Sequence, residues 1–463
     1  MKKSGKRVHP YIPNSVSKTQ EEMMKEIGIK GIEELYEDIP DRLRFKGTMN
    51  LPKALDSEID LKREVVSVLE KNTSCDENIS FLGGGCADHY VPAICDEITG
   101  RSEFLTAYAG EPYEDHGRFQ TLWEYESLMG ELLDFDVVNV PTYDWGQAAS
   151  TSIRMAGRIT QRKEVLISDT VSPDRLAVIK NYCHPVMQVT MVAHNPETGL
   201  IDLNDLKSKM TEKVACIYFE NPSYLGFIED QGQQIADITH ENGSLLVVGA
   251  DPISLGVLTP PSQYGADIAC GDVQCLGNHM YLGGSLAGFI ATRDEEKFVL
   301  EYPSRLFGVT KSEKGEWAFG DVAYDRTSFG VREEGKEFVG TASALYGISA
   351  AVYLSLMGPK GMQELGQVIV QKSQYAMKKL SELPGVKIKF NASFFKEFVV
   401  DFSETGKSVQ AINAALLNKG IYGGHDLTPA FDDLKECALY CVTEKTTKNM
   451  IDTLISNLKE ILL

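Results

Sequence analysis

A carboxylate at the end of an apolar segment is the residue of this chain with the clearest potential for chemistry. Asp251 follows the run "SLLVVGA", whose composition predicts a buried strand. A buried carboxylate needs a partner, and a protonated pyridine nitrogen, as in pyridoxal phosphate, would be one. The alternative is an Asp that caps the next helix or bonds to the backbone, and the strand alone does not decide between them.

A lysine that would hold such a cofactor covalently is missing where we look for it. The segment "GDVQCLGNHMYLGGS" (271–285) follows the next predicted strand and contains no lysine. The acid is therefore present without the residue that usually forms the Schiff base. This combination raises the question of whether the chain is an enzyme on its own.

Two other segments carry residues suited to a phosphate or a ring. In "NVPTYDWGQAASTS", Tyr143, Asp144 and Gly146 precede a predicted helix start, where free backbone N–H groups and the helix dipole can hold a phosphate. An ordinary capped helix would explain the same residues. Asn221 ends the strand "IYFEN" and puts an amide at its carboxyl end, although Asn followed by Pro222 is also typical of a simple turn.

Histidine and cysteine patterns predict neither a metal centre nor a hydrolase. The histidines show no HExxH spacing and no close cluster with cysteines. The nine cysteines occur singly, as expected of free thiols in a reducing cytosol, so we expect a cytoplasmic protein. The segment "GGGCADH" (83–89) lacks a nucleophile-elbow pattern and a third catalytic residue, which favours a structural Gly-rich loop.

Composition excludes several broad classes of function. A net charge of -20 and a pI near 4.9 argue against binding nucleic acid through a basic surface. The start "MKKSGKRVHPYIPN" has no apolar stretch behind it, so it is not a secretory signal. The most apolar segment, 342–358, is short for a membrane span and contains Ser, Gly and Tyr, so we expect a buried helix and no membrane association.

The elements that must position these residues follow from the alternation of strands and helices. Residues 1–80 contain charged helical patterns and few strands, which predicts a helical N-terminal region. Residues 81–340 alternate short apolar runs with helices, which predicts a large α/β domain with a mostly parallel sheet. Residues 341–463 predict a linking helix and a small α+β domain. In such sheets the site lies at the carboxyl ends of the strands.

Several segments, taken together, resemble one known family. They are "HPYIPN", "EEMMKEIGIKGIEELYEDIP", "NLPKAL", "FLGGGCADHYVPAICDEITGRSEFLTAY", "FENPSYLGFIED", "ADPISLGVLTPPSQYGADIACGDVQCLGN", "ALYGISAAVYLSLMGPKG" and "GGHDL" with "VTEK". In this order, from about residue 8 to the end of the chain, they resemble subunit 1 of the split, two-subunit glycine decarboxylase. That enzyme is the P-protein of the glycine cleavage system.

This resemblance implies a fold, a cofactor and partners. The fold would be the aspartate aminotransferase-like fold type I of pyridoxal phosphate enzymes. The cofactor would be joined to a lysine of subunit 2, and this chain would bind none covalently, with Gly277 and Asn278 near the place of the missing lysine. Tyr143, Asp144, Gly146, Asn221 and Asp251 would then line a vestigial cofactor pocket.

The resemblance also implies a reaction. The lysine-bearing subunit 2 would decarboxylate glycine and pass the aminomethyl group to the disulfide of a lipoyl carrier protein, the H-protein. This chain would complete the partner's active site, and we expect it to be inactive alone. The assembly would be a hetero-oligomer, and a homodimer is the alternative for the isolated chain.

Two segments depart from the family. Residues 109–121 read "AGEPYEDHGRFQT" and residues 325–345 read "DRTSFGVREEGKEFVGTASAL", and both differ chemically from the family pattern. Change at loops is what altered substrate or partner recognition would produce, and relaxed constraint would look the same. Two alternatives to glycine decarboxylation therefore stay open: a diverged paralogue in a pyridoxal-dependent complex acting on another small amino acid or amine, or a non-enzymatic interaction subunit.

Residues in or beside these segments are candidates for facing the substrate or the partner: Tyr108, His116, Arg326 and Arg332. Arginine suits a carboxylate because its planar fork donates two parallel hydrogen bonds. Solvated arginines, or arginines paired at the subunit boundary, are the alternative.

Overall fold

The computed structural model describes residues 8, 11–47, 49–104, 116–281, 287–322, 336–340 and 343–463. They divide into two compact units, Met1–Asn72 and Thr73–Leu463. In the first unit, helices α1 (Ser17–Ile27) and α2 (Glu58–Leu69) are separated by two short 3-10 helices. None of the described residues of this unit is buried.

A seven-stranded sheet forms the centre of the second unit. Its strands are β2 (Val137–Val138), β3 (Glu164–Ser168), β4 (Gln188–Val192), β5 (Val214–Asn221), β6 (Leu245–Ala250), β7 (Ile268–Asp272) and β8 (Gly288–Thr292). Their order across the sheet is β2-β8-β7-β6-β5-β3-β4, and only β8 runs antiparallel to its neighbours. The central strands β5 and β6 are buried along almost their whole length, as expected of strands covered by helices on both faces.

Helices connect and cover these strands. They are α3 (Ala93–Thr99), α4 (His116–Leu133), α5 (Trp145–Thr160), α6 (Pro173–Cys183), α7 (Leu203–Lys209), α8 (Gly232–Glu241) and α9 (Glu296–Val299). Helix α5 packs directly on strands β5 to β8. Its run of Ala, Ser and Thr is almost entirely buried, and these small side chains allow the helix to approach the sheet closely.

A second, four-stranded antiparallel sheet lies towards the C-terminus. Its strands, in spatial order, are β11 (Lys387–Ile388), β12 (Glu397–Asp401), β15 (Cys437–Cys441) and β14 (His425–Asp426). Helices α11 (Val409–Leu417) and α12 (Lys448–Leu462) pack beside it. The long helix α10 (Ala344–Ser381) leads into this sheet and is broken at Gly358, whose φ of 58° and position before Pro359 interrupt the helical backbone.

The predicted fold class is confirmed, and two features of the fold were not predicted. Strand β1 (Ile79–Ser80) pairs with β13 (Ile421–Tyr422), which joins the segment before residue 81 to the C-terminal part of the chain. Strands β9 (Phe307–Lys311) and β10 (Trp317–Asp321) form an antiparallel hairpin. The predicted divisions at residues 80 and 340 stay predictions. In the part of the chain that the structure describes, no helix has the length and apolar character needed to cross a membrane.

Candidate functional site

A pocket lies at the carboxyl ends of the central parallel strands. Asp251 directly follows β6, Asp272 ends β7, and Pro222 and Ser223 follow β5. The start of β12 closes the pocket from the other side through Phe395, Lys396 and Glu397. The cavity measures about 40 Å³, which is room for a few water molecules.

Asp251 has a cationic partner supplied by the chain itself. Its Oδ2 lies 2.7 Å from the Nζ of Lys396, and each side chain is only 13% exposed. Burial alone would raise the pKa of Asp251, but the Lys396 ammonium outweighs burial and holds this pKa below its usual value. The same pairing raises the pKa of Lys396 against the opposing effect of burial. Both groups are therefore charged at neutral pH.

Lys396 also connects Asp251 to a buried histidine. Its Nζ lies 3.1 Å from Nε2 of His89. Because an ammonium group can only donate, Nε2 accepts this bond and the histidine proton sits on Nδ1. Nδ1 then donates to Oε2 of Glu444 at 2.8 Å, and the other oxygen of Glu444 accepts from the backbone N–H of Tyr90 at 2.6 Å. Lys396 is thus held by two partners.

A second buried ion pair lies in the same pocket. Nη1 of Arg175 donates to Oε2 of Glu220 at 2.8 Å, and the Glu220 side chain is 1% exposed. The guanidinium carbon lies over the Trp145 ring, 3.7 Å from its centre, which is within the range of a cation–π contact. Tyr218 joins this group, because its hydroxyl accepts from Trp145 Nε1 and donates to Glu220. The arginine therefore has an anionic partner and an aromatic contact within its own chain.

Two further carboxylates make the pocket acidic. Burial raises the pKa of Asp272 to about 6, although its Oδ1 accepts a hydrogen bond from the backbone N–H of Gln274. Burial also raises the pKa of Glu397, against the effects of Lys396 and of the Gly84 N–H that donates to its Oε1 at 2.7 Å. A dianionic ligand would meet these acids on entering.

The predicted phosphate-binding turn is a capped helix start. Oδ1 of Asp144 accepts from the backbone N–H of Gln147 at 2.7 Å and caps α5. The hydroxyl of Tyr143 donates to the carbonyl of Gly340. A Cβ at Gly146 would lie 3.3 Å from the Asp144 carboxylate. A carboxylate therefore occupies the Gln147 N–H, one of the groups at this helix start that a phosphate would use.

Asn221 has a local structural role. Its Oδ1 accepts from the backbone N–H of Glu229 at 3.1 Å, and its Nδ2 donates to the carbonyl of the same residue at 3.2 Å. The peptide bond between Asn221 and Pro222 is cis. The side chain ties the loop after β5 to the start of the following segment, while Pro222 and Ser223 line the pocket.

The lysine-free segment 271–285 places a cysteine beside Asp251. Gly277 has a φ of 76°, and a Cβ there would lie 2.8 Å from Cys95 Sγ, so the position does not accept a side chain. Asn278 is 3% exposed and donates to the carbonyl of Val273 at 2.9 Å. It is Cys275 that meets the acid, with its Sγ 3.3 Å from Asp251 Oδ1.

The side chains proposed to face a substrate or a partner are outside the part of the chain that the structure describes. Tyr108, Arg326 and Arg332 are outside the described residues, and so is the side chain of His116, at which α4 begins. Within the described ranges, no three His, Cys, Asp or Glu side chains are grouped so as to hold a metal ion.

Pyridoxal phosphate does not fit the residues of this pocket. The acid that would pair with its ring nitrogen is paired with Lys396 at 2.7 Å. The space of about 40 Å³ suits a few water molecules rather than a substituted ring, and carboxylates line it. Cys275, the residue of the 271–285 segment beside Asp251, does not form a Schiff base with an aldehyde. We therefore derive no chemical step on a cofactor in this pocket.

Comparison with known proteins gives the family. The family model described as glycine cleavage system P-protein matches residues 9–458. The chain belongs to this family. Similar relatives from Staphylothermus marinus and Pyrococcus furiosus are both named "Probable glycine dehydrogenase (decarboxylating) subunit 1". They are 38% identical over 463 residues and 39% identical over 458 residues. The alignments cover 98% of this chain in both cases and 98% and 99% of the relatives.

Solved structures give the same fold. The crystal structure of a glycine decarboxylase (P-protein), in inhibitor-bound form, has a TM-score of 0.83 and 31% identity and covers 98% of this chain and 100% of that one. A sphingosine-1-phosphate lyase from Burkholderia pseudomallei has a TM-score of 0.64 at 14% identity, over 92% of this chain and 94% of that one, and shows the fold alone. The predicted fold type I of pyridoxal phosphate-dependent proteins is confirmed.

Sequence reasoning missed Lys396, Cys275, Arg175 and His89. Lys396 precedes the predicted strand "EFVVDF" in the C-terminal part of the chain, far along the sequence from Asp251. Its only signal is a single lysine directly after two phenylalanines at a strand start. Cys275 lies within the segment 271–285, three residues after the end of β7, and this position near the carboxyl end of a strand was the signal that could have identified it.

Proposed function

We propose that this chain is the subunit without cofactor of a two-subunit glycine decarboxylase. A lysine-bearing subunit 2 would hold pyridoxal phosphate, which supplies an electron sink for loss of the glycine carboxyl group as carbon dioxide. The electron pair of the broken bond would then reduce the disulfide of a lipoyl carrier protein. One sulfur would take the aminomethyl group and the other would become a thiol.

The match over nearly the whole chain, combined with the state of this chain's own pocket, is the observation that carries the proposal. Relatives at 38–39% identity are named subunit 1 of this enzyme. In this chain the pocket acid is paired internally with Lys396, and the segment 271–285 contains no lysine. A chain of this kind would contribute to the reaction by completing a site that another subunit carries.

Exposed apolar side chains in the first unit support a partner subunit. Tyr11, Phe45 and Met49 are 95%, 71% and 68% exposed, and none of the described residues of this unit is buried. Apolar surface of this extent is typical of chains that bury it against another protein. A cytoplasmic hetero-oligomer, with a homodimer as the alternative for the isolated chain, would provide that contact.

Co-expression with the lysine-bearing subunit of the same genome tests the proposal. We expect one complex on size-exclusion chromatography, and glycine-dependent exchange of labelled carbon dioxide only when both subunits and a lipoyl carrier protein are present. A complex that exchanges carbon dioxide with another amino acid and not with glycine would favour the diverged paralogue. Absence of turnover from a stable complex with all tested small amino acids would favour the interaction subunit.

Variants of exposed apolar residues locate the contact. Phe45→Ser is expected to weaken assembly at least about tenfold, the effect of losing roughly 1.4 kcal/mol of buried apolar contact. Leu417→Ser is the control, because Leu417 is an exposed apolar residue, at 50%, that lies in α11 of the second unit. Equal assembly of both variants with the partner would contradict a role of the first unit in the interface.

A further inference from the structure

We propose that Lys396 is a built-in substitute for the cofactor ring: its ammonium group is the permanent counterion of Asp251, and it closes this chain's pocket to pyridoxal compounds. This inference concerns the chain's own pocket and is independent of the reaction proposed above. It assigns a binding position, a carboxylate that accepts one organic cation, and it names the lysine that fills that position.

The geometry at Asp251 leaves one place for a cation. Oδ1 already accepts from the backbone N–H of Ile253 at 3.2 Å and lies 3.3 Å from Cys275 Sγ. Oδ2 faces the Lys396 ammonium at 2.7 Å, a normal length for a charge-assisted N–H···O bond. A pyridinium N–H would need the same oxygen. Lysine and a pyridinium ring therefore compete for one acceptor.

The backbone that carries Lys396 is held in place. The carbonyl of Lys396 accepts from the N–H of Val442 at 2.9 Å, which fixes the residue beside β15. Phe395 on one side is fully buried. Next to Glu397, the main chain of Gly226 approaches so closely that a Cβ at that glycine would lie 2.0 Å from the Glu397 carbonyl oxygen. The lysine therefore cannot leave the pocket by a small backbone movement.

The second contact of Lys396 fixes the direction of the ammonium group. His89 accepts at 3.1 Å through Nε2 and is oriented by Glu444 on its other nitrogen. His89 precedes α3, Asp251 follows β6 and Lys396 precedes β12, so one ammonium group connects three distant parts of the chain. In a protein that holds a cofactor, the ring would connect such segments, and here the lysine does.

Charge at the helix start points the same way. The Asp144 carboxylate caps α5 through the Gln147 N–H at 2.7 Å, at the turn where the sequence suggested a phosphate site. This turn therefore presents a negative side chain, and the pocket near Trp145 adds Asp272 and Glu397. The chain supplies a cation at the ring position and an anion at the predicted phosphate position. The phosphate of a phosphorylated pyridine would be repelled by the Asp144 carboxylate, and its ring nitrogen would compete with the Lys396 ammonium for Asp251.

Chemical rescue tests the proposal. In Lys396→Ala, the open space next to Asp251 is expected to take small organic cations, so the melting temperature should rise with methylammonium or ethylammonium over about 1–100 mM, since ligands that bind only the folded state stabilise it by mass action. Tetramethylammonium at equal ionic strength, which has no N–H to donate, should give no rise. The wild-type chain should not respond to any of the three ions.

The double variant Lys396→Ala/Asp251→Asn is the matched control. It has the same cavity without the carboxylate, and it should not respond to ethylammonium. An equal response of the single and double variants, or a wild-type response as large as that of the single variant, would overturn the assignment. So would a single variant that folds and shows no rise with either N–H cation.

A second measurement needs only the wild-type chain and remains informative if Lys396→Ala does not fold. In equilibrium dialysis with 4′-deoxypyridoxine 5′-phosphate, which lacks the aldehyde and cannot react with surface lysines, no saturable uptake is expected up to about 1 mM. Saturable uptake of one molecule per chain, abolished by Asp251→Asn, would overturn the proposal. Because neither readout needs glycine or the partner subunit, failure here is distinct from failure of the proposed reaction.

Discussion

Lys396→Met should destabilise the chain by about 3–5 kcal/mol, because it leaves the carboxylate of Asp251 buried without a counterion. At 2.7 Å and an effective dielectric constant of about 20, the attraction between the two charges is about 6 kcal/mol, and desolvation of both groups offsets much of it. Methionine keeps most of the side-chain volume, so the loss reports the charge rather than a cavity. With 463 residues and an unfolding entropy of about 2.1 cal/mol/K per residue, the melting temperature should fall by about 3–5 °C.

Thermal melts of a double-mutant cycle measure this effect. Asp251→Asn introduced into Lys396→Met should recover most of the lost stability, because it removes the unpaired charge. Lys387→Met is the matched control, since Lys387 pairs with Glu404 on the surface, where both side chains are 58% exposed. That variant should change stability by less than about 1 kcal/mol.

The pH dependence of the same cycle has a defined sign. The lowered pKa of Asp251 gives stability that is present above its usual value of 3.8 and is lost as pH falls through the lowered pKa. The raised pKa of Lys396 gives stability that is present below 10.5 and is lost as pH rises through the raised pKa. In Lys396→Met, burial without a counterion raises the pKa of Asp251, so the gap between wild type and variant should be largest well above that raised pKa and should shrink as pH falls from it towards 3.8. A loss under about 1 kcal/mol, or a cycle without coupling, would refute this reasoning.

Other predictions concern neighbouring positions. Asp272→Asn should stabilise the chain by about 3 kcal/mol in urea unfolding at pH 7.5, because burial raises the pKa of Asp272 to about 6. This gain in free energy of unfolding should shrink as pH falls from 6 to the usual pKa of 3.8. A gain that grows on acidification would contradict the prediction. Arg175→Met leaves the buried Glu220 without a cationic partner and should cost about 3–5 kcal/mol in free energy of unfolding, with only partial recovery in Arg175→Lys. Full recovery in Arg175→Lys would show that the contact of the guanidinium with the Trp145 ring contributes nothing. Gly226→Ala should lower the free energy of unfolding by about 3 kcal/mol or more, because its Cβ would overlap the backbone at β12. The control Gly315→Ala should lower it by about 1 kcal/mol, because Gly315 has a similar positive φ and open space around it. Equal losses in the two variants would contradict the close approach of Gly226 to β12.

Local sequence patterns were sufficient to predict most of the fold. Runs such as "LLVV" before Asp251 and "CIYF" before Glu220 are continuous apolar segments of strands, and helices separate them. Asp251 was correctly placed after a strand, at the carboxyl ends of the parallel strands, and its need for a partner followed from burial alone. The pairing of β1 with β13 was not predicted, because strands of two residues are too short to show a periodicity. The hairpin of β9 and β10 was not predicted either, since Gly308 and Gly320 interrupt the apolar pattern of its two strands.

The sequence did not predict that Lys396 is the partner of Asp251. Pairing with Lys396 depends on how the strand β12 packs against the loop after β5, a contact set by tertiary structure and not by spacing along the chain. The same holds for Arg175 and Trp145, whose stacking brings a helix start next to α5. Side chains of Tyr143 and Asn221 were named from local position, and their partners turned out to be nearby backbone groups.

An absorbance titration with pyridoxal phosphate tests the central claim most directly. The purified chain is titrated alone and then together with the lysine-bearing subunit of the same genome, and glycine is added last. The account predicts a protein-linked chromophore only in the mixture, and a spectral shift when glycine is added. A Schiff-base chromophore on the isolated chain, or a chromophore in the mixture that glycine leaves unchanged, would contradict it.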